Sequence, residues 1–162
     1  MVDPDTRAHG STWIQVRCPP RTGLLGPLRR LVAEMAGRAG LDGEGAAQVE
    51  MAVDEALTNA IEHPANEGEG MIEMELALAE GCLTVRIENA GRPGGAPASM
   101  IGEPTVDAYC RPGRDRYKGL GLLVMRRFMD EVRIEERPQG GTRVILQKRL
   151  APPAAAEKAP AP

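Results

Sequence analysis

Glu55 and Asn59 lie four residues apart in Val53 to His63, a stretch whose spacing predicts a helix. Glu62 and His63 follow at i+7 and i+8, so four polar side chains share one helical face. A carboxylate at position 55 can accept a proton from an attacking hydroxyl or water. An amide carbonyl one turn later suits a hard cation such as Mg²⁺, which needs only one or two protein oxygens when phosphates supply the others. The same face also fits the solvated side of an amphipathic helix. Asn59 weighs against that account, because Asn is a poor helix former with no cap to make in mid-helix. Some sixty residues further on, Lys118-Gly119-Leu120-Gly121-Leu122 opens an apolar helix. A glycine pair leading into a helix lets backbone N–H groups approach phosphate closely, and the helix dipole favours the anion there. Between the two stands a polar glycine turn, Asn89-Ala90-Gly91, and together these segments point to a nucleotide pocket.

Arg111, Arg114, Arg116 and Lys118 crowd the approach to the second glycine turn. They read either as a solvated basic loop or as cations that neutralise phosphate when a lid closes. His63 fits the end of its helix better than a catalytic role, since no nucleophile stands beside it in sequence. His9 falls in a polar, aperiodic start and carries no claim.

The elements that must position these residues follow from periodicity. Thr12 to Arg17 alternates as a short strand. Leu24, Leu28, Leu31 and Met35 recur at helical spacing between Pro19-Pro20 and Gly40. A second helix is expected from Gly43 to His63, buried through Ala46, Val49, Val53, Ala56, Ala60 and Ile61 and stopped by Pro64. Ile72 to Leu78 and Leu83 to Glu88 alternate about Gly81 as a β-hairpin with one buried face. From Ala90 to Lys118 the pattern dissolves into Gly, Pro and charge, the signature of a functional lid or a disordered segment. Leu120 to Met129 then reads as a helix, and Glu131 to Glu136 and Thr142 to Lys148 as strands around Pro138-Gln139-Gly140-Gly141. There is no internal repeat. The order predicts an α+β fold, a two-layer sandwich of helices on one mixed, mostly antiparallel sheet. The expected organisation is a disordered start at 1–11, one domain at 12–150 with a lid at 90–118, and a disordered Ala/Pro tail at 151–162.

Bulk composition narrows the function. The 162 residues are 42% hydrophobic, enough for one ordinary core without disulfides or metals. Only Trp13, Tyr109, Tyr117 and Phe128 are aromatic, which argues against a stacking surface for single-stranded nucleic acid. A net charge of −3 argues against a general affinity for DNA or anionic membranes. Cys18, Cys82 and Cys110 have neither the even count of a disulfide framework nor the paired spacing of a zinc site. With no apolar signal run and no stretch of about 18 apolar residues, the expectation is a cytoplasmic protein.

At this point the residues resemble a known family over about Trp13 to Leu150. Val53-Asp54-Glu55-Ala56-Leu57-Thr58-Asn59-Ala60-Ile61-Glu62-His63 resembles the N box of the Bergerat-fold, or histidine kinase-like, ATPases, in the form found in bacterial anti-sigma factor serine kinases. Lys118-Gly119-Leu120-Gly121-Leu122, with Met125, Phe128 and Met129-Asp130-Glu131-Val132 after it, is similar to that family's second glycine box. Gly141-Thr142 with the final strand is similar to its closing motif. The resemblance implies an ATP- and Mg²⁺-dependent serine/threonine kinase and anti-sigma factor of a partner-switching system. Such a protein holds a sigma factor inactive and phosphorylates a serine on a STAS-type anti-anti-sigma protein, as a homodimer that contacts neither nucleic acid nor membrane directly. Glu55 would be the base and Asn59 the Mg²⁺ ligand. Asn89 would face the adenine, with Gly91 shaping its pocket and Thr142 bonding near the base. Gly119 and Gly121 would approach the phosphates, and the nucleotide-binding set would also include His63, Arg116, Lys118, Leu120 and Leu122. No histidine-bearing dimerisation helix precedes the domain, so a sensor histidine kinase is not expected.

One departure from the family is plain. Its first glycine box has Asp where this chain has Asn89, and the run Asn89-Ala90-Gly91-Arg92-Pro93-Gly94 displaces the second glycine by one. An Asn carbonyl still accepts a hydrogen bond from an adenine amino group, without the charge-assisted strength of a carboxylate. Weaker ATP affinity is expected. The alternative is a catalytically weak or inactive nucleotide-binding module that sequesters a sigma factor or STAS partner.

Overall fold

A computed structural model describes residues 12–62, 70–89, 120–138 and 140–150. The expected lid and both expected disordered ends lie outside the described residues, as do Pro64, His63, Gly91, Arg116, Lys118 and Gly119.

The chain begins with strand β1 (Thr12–Cys18) and passes through a single 3-10 turn (Thr22–Leu24) into helix α1 (Leu25–Arg38). Gly40, at φ +90°, ends α1 in a left-handed cap: its N–H bonds to Gly37 O and the Leu41 N–H to Ala36 O. Asp42 then starts α2 (Gly43–Glu62), its Oδ1 accepting the Gly45 N–H at 2.8 Å. Strands β2 (Ile72–Ala79) and β3 (Cys82–Asn89) follow. The two-residue turn between them has positive φ at both Glu80 and Gly81, the geometry that matches the twist of a tight hairpin. Helix α3 (Leu120–Phe128) leads into β4 (Glu131–Glu136) and β5 (Thr142–Arg149).

The strands form one sheet in the order β1-β2-β3-β5-β4. Every pairing among the described strands is antiparallel, so the expected mostly antiparallel sheet contains no parallel pair here. One face is apolar: Ile72, Met74 and Leu76, then Leu83, Val85 and Ile87, then Val144 and Leu146 are buried against the three helices. Period-two alternation sends the charged partners to the other face. There Arg17, Glu73, Glu88, Arg143 and Glu135 stand opposite one another in a single row across all five strands.

Two helical stripes differ in detail from their expected form. In α1 the buried set is Leu28, Val32, Met35 and Ala36, while Leu24 and Leu31 pack only at its margin. In α2, Ala52 and Leu57 are buried with Val49, Val53, Ala56 and Ala60, and Ala46 and Ile61 sit at the edge. A helix between a sheet and a second helix buries a band wider than one strict i, i+3, i+4 line. α2 is such a helix, packed on both α1 and α3 as well as on β3 and β5.

Candidate functional site

Because α3 packs across α2, the polar face of α2 does not simply meet solvent. Glu55 and Asn59 are half-buried, and Gly121, the second residue of α3, sits directly over them. A Cβ placed on Gly121 would lie 2.5 Å from Glu55 Oε2 and 3.5 Å from Asn59 Nδ2. The first of these is closer than real Cβ atoms come, so a side chain at position 121 would have to turn the flexible Glu55 carboxylate aside. The segments that the sequence separates by sixty residues therefore meet. Leu122 directs its side chain into the core at 5% exposure, so only the backbone at that position is left to meet a ligand. Leu120 is exposed. The first turn of α3 contains no acidic residue, and its leading N–H groups have no acceptor within the helix.

Local electrostatics act on Glu55 in one direction. Burial raises its carboxyl above the ordinary value of 4.5, and the neighbouring charges of Asp54 and Glu62 raise it further. Asp54 is tied to α1 by Arg29, whose Nη1 lies 3.5 Å from Asp54 Oδ2. Its other oxygen is buried with no donor among the described residues.

A second group of the expected site residues lies at the end of the sheet. Asn89 is the last residue of β3 and is buried at 7% exposure on the face that carries Val85 and Ile87, the same face as the helices. Its Oδ1 accepts the Thr142 backbone N–H at 2.7 Å. An amide oxygen carries two lone pairs, and this bond uses one of them. Asn89 and Thr142 are thus brought together.

Residues that the sequence did not single out complete this end. Arg137 donates from Nη1 to the Asn89 carbonyl at 3.1 Å and pairs through Nη2 with Glu88 Oε2 at 3.1 Å. The other oxygen of Glu88 takes the Arg143 Nε at 2.6 Å. Glu88 adjoins the first glycine turn in sequence, but nothing local marks Arg137 as its partner.

These features are of the kind that binding a nucleoside triphosphate calls for. A glycine in the first turn of a helix faces a carboxylate and an amide, and an amide–backbone pair stands at the sheet end. Residues 18–148 match the histidine kinase-like ATPase domain family. Among curated relatives, the anti-sigma F factor of Clostridium novyi (strain NT) is 34% identical over 104 residues, covering 63% of this chain and 69% of that protein. The anti-sigma F factor of Geobacillus kaustophilus (strain HTA426) is 34% identical over 107 residues, with 64% and 69% covered. The crystal structure of the RsbU and RsbW domains of Rv1364c from Mycobacterium tuberculosis has a TM-score of 0.62 at 21% identity, over 88% of this chain and 34% of that one, a likeness of fold.

The chain belongs to the histidine kinase-like ATPase family. Its fold is the α+β layer of helices on an antiparallel sheet that the family resemblance implied, and ATP is the ligand that an ATPase domain of this kind implies. Among the described residues no helix is long and apolar enough to cross a membrane.

Proposed function

We propose that this protein is an ATP-dependent serine/threonine kinase and anti-sigma factor of a partner-switching system, working in the cytoplasm as a homodimer. Its protein partners would be a sigma factor, which it sequesters, and a STAS-type anti-anti-sigma protein, whose serine it phosphorylates. The anti-sigma F factor relatives support the partner class. The observation that carries the catalytic reading is the close approach of Gly121 to Glu55 and Asn59.

Asn59 would hold Mg²⁺ through its amide oxygen. Backbone N–H groups around Gly119, Leu120, Gly121 and Leu122 would hold the phosphates, with Arg116 and Lys118 offsetting their charge. Asn89 and Thr142 would meet the base, Gly91 would shape that pocket, and His63 would line the neighbouring end of α2. When bound, Mg-ATP supplies the phosphoryl group and most of the charge that must be neutralised during transfer. Glu55 would take the proton of the serine hydroxyl on its carboxylate, and a carboxyl held above its ordinary value is a stronger base for that task.

The test is transfer of radiolabelled phosphate from ATP to a cognate STAS protein. Glu55→Ala should lower the rate by about 10²–10⁴-fold, and labelling at the wild-type rate would overturn the assigned base. A second reading has its own observation: the oxygen of Asn89 already takes the Thr142 N–H, which reduces its capacity toward a base. In that reading the protein binds its partners with little or no phosphotransfer. Label transfer at background level, together with intact capture of a sigma factor, would select it.

A further inference from the structure

We propose that Arg137, held by Glu88, is a positioning residue that sets the spacing of the base-contacting pair Asn89 and Thr142; this rests on the nucleotide reading above.

Arg137 follows the last residue of β4, and 48 positions separate it from Asn89. Its guanidinium spans two successive residues of β3, reaching the Asn89 carbonyl with one terminal nitrogen and the Glu88 carboxylate with the other. Its backbone holds the turn that delivers Thr142: the Arg137 N–H bonds to Gly141 O at 3.0 Å, and the Gly140 N–H to Arg137 O at 2.8 Å. Gly140 and Gly141 have φ of +89° and +91°, values that L side chains rarely adopt, so this turn depends on glycine. Thr142 comes next and returns its N–H to Asn89 Oδ1. The bonds close a circuit from the Asn89 carbonyl through Arg137, Gly141 and Thr142 to the Asn89 side chain. The planar fork serves both acceptors on β3 at once, one from each terminal nitrogen.

Charge explains why the fork stays in place. Glu88 stands directly opposite Glu73 in the β2–β3 register, and like charges at that spacing repel. Arg143 and Arg137 each engage one oxygen of Glu88, and Arg86 approaches at 3.8 Å. Glu88 is thereby held at 8% exposure, and the guanidinium is aimed at the end of β3. The buried Nε of Arg137 has no acceptor among the described residues, so the side chain accepts one unmade bond to keep the other two.

The experiment uses the full chain and the variants Arg137→Ala, Arg137→Lys and Glu88→Gln, with two readouts. The first is hydrogen exchange at the Thr142 amide without nucleotide, with the Val85 and Ile87 amides as an internal control for folding. Arg137→Ala should speed Thr142 exchange by about tenfold and leave the control amides unchanged. The second is calorimetric affinity for Mg-ATP with the matching kinetics. Affinity should fall by about fivefold to tenfold and KM should rise, while kcat stays within about twofold. Arg137→Lys keeps the charge without the fork and should behave like the alanine variant. Glu88→Gln should lie between Arg137→Ala and wild type.

Unchanged Thr142 exchange in Arg137→Ala, or full rescue by lysine, would overturn the clamp. Wild-type ATP affinity in Arg137→Ala would overturn its link to the base. A wild-type protein that takes up no ATP, while Arg137→Ala still loosens Thr142, would instead overturn the nucleotide reading and leave the clamp standing.

Discussion

Glu55 is the residue at which burial and chemistry meet. Its folded carboxyl lies above 4.5, raised first by burial and then by Asp54 and Glu62. The folded chain therefore keeps this proton to higher pH than the unfolded chain does. It follows that the residue's contribution to stability is full below the unfolded value and is lost as pH rises through the folded one. Glu55→Gln, neutral at every pH, should melt higher than wild type at neutral pH and equal to it below 4.5, as read by thermal denaturation. In the phosphotransfer assay the acid limb of the rate should lie above 4.5, and Glu62→Gln should move it down by removing one of the charges that raise it. A limb unmoved in Glu62→Gln would show that another group is titrating. Spacing made Glu55 and Asn59 legible in the sequence, because residues four apart on a helix share a face whatever surrounds it. The Arg137–Glu88 pair was not legible. Each looks like one more charge at a strand end, and the sequence places them far apart.

At the scale of elements, α2 carries the site. It holds Glu55 and Asn59 and packs on two helices and on the central strands. Its start depends on Asp42 and its interior on Leu57, which is wholly buried. Asp42→Ala should cost about 1 kcal/mol and Leu57→Ala about 2–5 kcal/mol, both read by chemical denaturation. The cap variant should keep its ATP affinity, since position 42 lies far along the helix from Asn59. The hairpin and the final strands could be read from period-two alternation and the turn at Gly81, because each face of a strand meets a single environment. The buried stripes of α1 and α2 are wider than helical spacing alone predicts. Ala52 and Leu57 are buried because α2 meets neighbours on more than one side, and a sequence does not disclose the neighbours of a helix.

For the whole molecule, the proposed nucleotide site would join a helix-layer half (Glu55, Asn59, Gly121) to a sheet-end half (Asn89, Thr142) on the same face of the sheet. The proposed homodimer should sediment at twice 17.3 kDa, and a species at the single-chain mass at micromolar concentration would contradict it. The central claim is that Glu55, Asn59 and Gly121 form one nucleotide site, and calorimetric titration with Mg-ATP tests it most directly. Wild-type protein should give saturable heat. Asn59→Ala, which removes the amide, and Gly121→Ala, whose methyl would displace the Glu55 carboxylate, should each weaken binding by at least about tenfold while remaining folded. Affinity equal to wild type in both variants would contradict the account, as would a wild-type protein that takes up no ATP.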